Sequence, residues 1–104
     1  MWIIKESTLK SFWRDHPDAQ SPLVAWIKEF ESTPYRTTAE IKARYGSADF
    51  VKDKVVFNIG GNKYRLIVRF RYADLDADPP LNGIALVLFI GTHDEYDDLD
   101  VAAL

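Results

Sequence analysis

The sharpest alternation in the chain runs from Lys63 to Tyr72. At period two, Tyr64, Leu66, Val68, Phe70 and Tyr72 fall on one side, and Lys63, Arg65, Ile67, Arg69 and Arg71 on the other. This predicts a strand with an apolar core face and an outer face of four cations and one aliphatic residue. Lys54–Ile59 reads as a preceding strand, joined to it by a tight turn at Gly60-Gly61-Asn62. A two-residue loop, either Gly60-Gly61 or Gly61-Asn62, puts Val55, Phe57 and Ile59 on the same face as Tyr64, Leu66 and Val68. Ile84 to Gly91 is apolar on both faces, as expected of a strand in the middle of a sheet or beneath another layer. It is expected to pair with Lys63–Arg71 in the antiparallel sense.

The N-terminal half follows the helical period. Trp2-Ile3-Ile4 suits a short strand. A first helix fits Thr8 to Asp15, with Leu9, Phe12 and Trp13 on one stripe, and His16-Pro17 ends it. A second helix starts at Ser21-Pro22, carries the stripe Leu23, Trp26, Ile27 and Phe30, and ends near Ser32-Thr33-Pro34. A short third helix fits Thr38 to Tyr45. It has capping-box spacing between Thr37 and Glu40, and Gly46 at its C-terminal end. Trp13, Trp26, Phe30, Phe57, Leu66 and Val68 are expected to be buried together. Ala73 to Gly83, with three aspartates and Pro79-Pro80, reads as an exposed acidic connection.

At 104 residues, 47% hydrophobic and 13% aromatic, the chain has material for the core of one domain. It contains no cysteine, so no disulfide or thiolate site enters, and an intracellular location is expected. The start is too short and too soon charged for a signal peptide, and the longest apolar run is too short to span a membrane. The net charge of −3 hides an asymmetry. All 13 Lys and Arg lie in residues 1–73, against 8 acids; residues 74–104 hold the other 8 acids and no Lys or Arg. A basic body with an acidic last third can carry a nucleic-acid patch despite its acidic total.

Alternate side chains on a strand stand roughly 7 Å apart, so the cationic row could follow successive phosphates or simply form a solvated outer face. The glycine pair has no lysine and Ser/Thr at phosphate-loop spacing, which leaves it a turn. In Gly91-Thr92-His93-Asp94-Glu95-Tyr96-Asp97, Thr92 and Glu95 have capping-box spacing, and His93 and Tyr96 share a face of the helical turn they start. A metal site from His93, Asp94, Glu95 and Asp97 would need ligands from farther along the chain, so no metal is expected.

Asn58-Ile59-Gly60-Gly61-Asn62-Lys63-Tyr64-Arg65-Leu66-Ile67-Val68, followed by Gly91-Thr92-His93-Asp94-Glu95-Tyr96-Asp97, resembles the HigB family of toxins within the RelE-like ribonuclease group. Trp13 to Ala19, Pro22-Leu23 and Trp26 resemble that family's helical start, so the likeness spans nearly the whole chain. The acidic insertion from Asp74 to Asn82 departs from the family's tighter turn. The resemblance implies an α+β fold: a single compact RelE-like domain over residues 1–104, with N-terminal helices packed on one face of an antiparallel sheet. It also implies a cytoplasmic, metal-independent endoribonuclease that cuts mRNA in the ribosomal A site. A cognate helix-turn-helix, HigA-like antitoxin would silence it.

That chemistry needs cations at the phosphate and groups that move protons. Arg65 is the candidate for the reacting phosphate, with Lys63, Arg69 and Arg71 as RNA contacts. His93 offers an imidazole, the side chain most often used to move protons, and Tyr96 can donate a proton or stack on a base. His16, before the proline that ends the first helix, reads as structural. One rival is a non-catalytic module that binds RNA, ribosome or antitoxin. Another is a DNA-binding regulator, for which the chain offers no helix-turn-helix recognition helix.

Overall fold

The computed structural model describes residues 1–104. Its elements are β1 (Trp2–Ile4), α1 (Glu6–Asp15), α2 (Gln20–Ser32), α3 (Thr38–Arg44), β2 (Asp49–Val51), β3 (Lys54–Ile59), β4 (Tyr64–Arg71), β5 (Ile84–Thr92) and α4 (His93–Asp97). The five strands form one sheet in the order β1-β5-β4-β3-β2. The fold is α+β, with α1 to α3 over one face. The sheet is mixed rather than antiparallel, because β1 runs parallel to β5 while the other pairs are antiparallel.

The helical stripes predict what is buried. Leu23, Trp26, Ile27 and Phe30 of α2 and Leu9 of α1 are all buried. The Phe30 ring sits at the centre, with ring centroids 4.5 Å from Trp26, 5.5 Å from Phe57 and 5.4 Å from Phe70. Leu66 and Val68 close the core from the sheet side. Trp13 differs from expectation: it packs against this core only half-buried, at the end of its helix.

Helix boundaries shift for local reasons. α1 begins at Glu6, two residues before Thr8, after a left-handed Lys5 (φ 67°) and without a side-chain cap. α2 begins at Gln20 out of a 3-10 turn at Pro17–Ala19, so Ser21 is not its cap. Pro22 still lies in the first turn, where its missing N–H costs no helical bond. Thr37 caps α3 by accepting from the Glu40 N–H at 3.2 Å, but the Glu40 carboxylate reaches back to the Arg36 N–H. Tyr45, not Gly46, closes that helix.

The β3–β4 turn is longer than expected, spanning Gly60–Lys63, with Ile59 opposite Tyr64. That register preserves the face assignment. Gly60 and Gly61 both take positive φ, 64° and 69°, which explains the glycine pair. Between β4 and β5 a bulge separates the pairs Ile67–Phe89 and Val68–Val87, leaving Leu88 unpaired. Ala85 and Val87 therefore face the helices, Leu88 and Phe89 the opposite side, and Ile90 the helices again.

The outer face is not simply solvated. Val56 and Ile67 are buried there with Val101, flanked by Leu88, Phe89, Tyr96 and Leu99. The acidic segment after β5, through Tyr96, Leu99 and Val101, thus folds back as a partial second layer. Lys54 is buried beneath it, its Nζ donating to the Ala102 carbonyl at 3.2 Å. No helix is long and apolar enough to cross a membrane.

Candidate active site

The β3–β4 turn and α4 meet at one end of the sheet. β5 ends at Thr92, opposite Tyr64, and α4 starts at once. Thr92 Oγ1 accepts from the Glu95 N–H at 3.2 Å, and Glu95 Oε1 accepts from the Thr92 N–H at 2.9 Å. The capping box is complete, so Thr92 and Glu95 have the structural role their spacing suggests. The Thr92 N–H bond to the carboxylate, and then the Thr92 hydroxyl beside it, hold the Glu95 pKa below the ordinary range, with a smaller contribution from His16. The His93 N–H donates to the Lys63 carbonyl at 3.1 Å and ties α4 to the turn.

Arg65 lies beneath α4 and is only 8% exposed. Its Nη2 donates to Asn62 Oδ1 at 2.7 Å, and its Nη1 to the Asn62 and Tyr64 carbonyls, both at 3.2 Å. The guanidinium carbon is 5.8 Å from the Tyr96 ring centre, within cation–π range. His93 Nδ1 lies 3.0 Å from Asp97 Oδ2, one helical turn on. Arg65, His93 and Tyr96 are therefore gathered by a few local contacts around the Gly60–Lys63 turn. His93, Asp94 and Asp97 also bring ligand atoms within 4.8 Å of one another. All three come from one exposed turn, with no ligand from another element.

The cations do not form one open row. Lys63 sits on the turn, outside β4, with Nζ 2.8 Å from Asp18 Oδ2. Ile67 is covered by the C-terminal layer. Arg69 is half-buried: its Nε is 2.9 Å from Asp53 Oδ2, an ion-pair contact outside hydrogen-bond alignment, and its Nη2 donates to the Leu104 oxygen at 2.9 Å. Arg71 is exposed at the far end of the strand, roughly 20 Å from Arg65 by strand rise.

Two neighbours of the site have no signal in sequence spacing. Asn62 orients Arg65, although in the sequence it reads as a turn residue. Asp18, 45 positions before Lys63, accepts from both the Lys63 ammonium and the Tyr64 hydroxyl, the latter at 2.5 Å. His16 stacks on Phe12 at 4.2 Å and meets the Tyr64 ring edge-on, consistent with a structural role.

The Lys63 and Tyr64 bonds hold the Asp18 carboxyl below its ordinary pKa, while Asp18 raises those of Lys63 and Tyr64. A depressed carboxylate pKa contributes stability above the unfolded value, lost as pH falls through the folded one. Asp18→Asn should therefore flatten the acid limb of the stability–pH curve between about pH 4 and its lower end. Urea melts at a series of pH values read this directly; an unchanged acid limb would remove Asp18 from the account.

A compact α+β domain with this five-stranded mixed sheet is consistent with a RelE-like toxin domain. The family model for HigB toxins, the RelE-like toxic component of a toxin-antitoxin system, matches residues 19–99. The chain belongs to that family. It is thus a toxin of a toxin–antitoxin system, which implies an antitoxin partner. A search of curated proteins found no match.

Proposed function

We propose that the protein is a ribosome-dependent endoribonuclease that cuts mRNA in the A site and so inhibits translation in the cytoplasm. The observation that supports this best is the meeting of Arg65, His93 and Tyr96 around one turn. In the proposed reaction the ribose 2′-oxygen attacks the adjacent phosphorus and the bond from phosphorus to the 5′-oxygen breaks. One proton leaves the 2′-hydroxyl and one reaches the 5′-oxygen, giving a 2′,3′-cyclic phosphate and a 5′-hydroxyl. His93 and Tyr96 move these protons, and Asp97 orients the imidazole through Nδ1. Arg65 uses three of its five N–H donors internally, leaving two for a phosphate oxygen. Lys63, Arg69 and Arg71 supply further phosphate contacts. A HigA-like helix-turn-helix protein is the proposed antitoxin.

Arg65→Ala should weaken both RNA engagement and cutting. It removes a charge-assisted contact of about 1.5–3 kcal/mol, or roughly 10- to 150-fold. Arg65→Lys should recover little, because a point charge cannot replace the fork held by Asn62. Cutting and ribosome-binding assays on both variants check this; full activity in Arg65→Ala would remove the arginine from the site. RNA binding by the isolated protein should be weak and fall steeply with added salt, as counterion release requires. A titration from low to physiological salt measures the slope, and salt-independent binding would contradict the phosphate contacts. Growth arrest on expression, lost in His93→Gln, tests the function as a whole.

A further inference from the structure

On the outer face of the sheet, β3 and β4 form three cross-strand rungs: Asn58–Arg65, Val56–Ile67 and Lys54–Arg69. Arg65, on the first rung, is the candidate for the reacting phosphate. Residues 98–104 leave α4 and cross the other two. Val101 packs on the middle rung, and the Ala102 carbonyl and the Leu104 oxygen meet the cations of the last. One short segment, not the sheet itself, interrupts the cationic row.

That segment is held lightly. No backbone hydrogen bond joins it to the sheet; the N–H groups of Leu99, Ala103 and Leu104 donate locally, to Tyr96, Asp100 and Val101. Its apolar anchor is Val101, in a cluster of three buried residues, against twenty in the helix-side core. The remaining ties are two hydrogen bonds from cations, Lys54 Nζ to the Ala102 carbonyl at 3.2 Å and Arg69 Nη2 to the Leu104 oxygen at 2.9 Å. A strap with few buried contacts and no ladder bonds is among the first parts of a fold to open.

The rung beneath it is built for an anion. Lys54 is 3% exposed and, with Arg65, is one of the two buried charged side chains of the molecule. Arg69 makes one hydrogen bond from five N–H donors, and its Nε is buried without an aligned acceptor. Asp53, itself exposed, touches both cations, at 3.4 Å from Lys54 Nζ and 2.9 Å from Arg69 Nε, and cancels one charge. One positive charge and several donors remain, opposed by neutral carbonyl oxygens. A phosphate oxygen makes shorter and stronger bonds to the same donors. Arg69 lies roughly 13 Å along β4 from Arg65 on the same face, two steps of alternate side chains. That register favours a strand of phosphates over an acidic protein segment. Asp98 and Asp100, exposed on the strap, oppose phosphates while it is closed and leave with it.

We propose that Lys54 and Arg69 form a second, covered site for one phosphate of the RNA strand whose reacting phosphate lies at Arg65, and that residues 98–104 close it until RNA displaces them. The Ala102 and Leu104 oxygens then stand in for phosphate oxygens in the free protein. This rests on the RNA-cutting reading of the Arg65 site and adds to it a further contact residue, Lys54, and a strap that holds RNA affinity down.

The test locks and frees the strap in the full chain, with binding of a fluorescent oligouridylate titrated across salt. The sequence has no cysteine, so Val56→Cys with Val101→Cys introduces the one possible disulfide, checked by thiol titration. Oxidation should weaken RNA binding roughly 10-fold or more and lower the salt slope by about 0.7, one phosphate contact on a single strand. Reduction should restore both. Val101→Ala should tighten binding roughly 3- to 10-fold by raising the open fraction. Adding Lys54→Gln should abolish that gain and lower the slope by the same 0.7 or so. Melting curves should show each variant folded, since the helix-side core is untouched. Equal affinity and slope in the oxidised and reduced forms overturn the proposal, as does a Val101→Ala gain that survives Lys54→Gln. If the disulfide fails to form, the Val101→Ala pair decides alone. The expected binding pattern in a protein that never cuts refutes the nuclease reading and leaves the covered site standing. Cutting in the A site with no effect of the lock does the reverse.

Discussion

His93→Gln and Tyr96→Phe should each slow single-turnover cutting by roughly 10²–10⁴-fold while ribosome binding stays near wild type. Glutamine keeps much of the size and hydrogen bonding of His93 but cannot take up and release a proton as an imidazole does. The contact that ties α4 to the turn comes from the His93 backbone, so the substitution leaves it in place. Tyr96→Phe removes one hydroxyl and keeps the ring over Arg65. Neither side chain lies in the helix-side core, so melting curves should move little. The measurement is cleavage of a programmed A-site codon under saturating protein, with binding and melting in parallel. Full cutting by both variants would move the chemistry to Arg65 and its neighbours. A loss of cutting matched by unfolding would leave α4 only a structural role.

Phe30→Ala should destabilise the fold by about 3–5 kcal/mol, the range for deleting a buried aromatic ring. Phe30 is fully buried and packs against Trp26, Tyr35, Tyr45, Phe57 and Phe70. No other ring has so many aromatic partners, and neighbours held on both α2 and the sheet cannot close the gap easily. The denaturation midpoint should fall sharply with little change in slope. Trp13→Ala should cost less, since Trp13 is only half-buried at the periphery. Equal losses in the two variants would contradict this placement of the core.

Much of this was legible because it is local. The α2 stripe and the β3 and β4 phases depend on side-chain periods, and Thr92–Glu95 declares its cap within four residues. β2 was missed because three residues, one of them Asp49, give period two too little to work with. The bulge at Leu88 was hidden because Ile84 to Ile90 is apolar throughout, so no change of face shows as a change of polarity. The acidic tail gave no sign of this layer, since Leu99 and Val101 form it only once Val56 and Ile67 are beneath them. The cationic alternation was real, but charge on one face of a strand does not say what covers that face. Lys63 and Asp18 pair across 45 residues, and no spacing rule links them. The site residues His93, Tyr96 and Arg65 were named from motif and chemistry, and Asn62, which orients Arg65, gave no cue beyond its turn.

The central claim is cutting on the ribosome. Purified protein should be mixed with ribosomes stalled on a defined message, and the new RNA 5′ ends mapped to the nucleotide. The account predicts ends within the A-site codon, dependent on ribosomes and absent with His93→Gln. An intact message at saturating protein, with ribosome binding retained, would contradict it and make the protein a binding module.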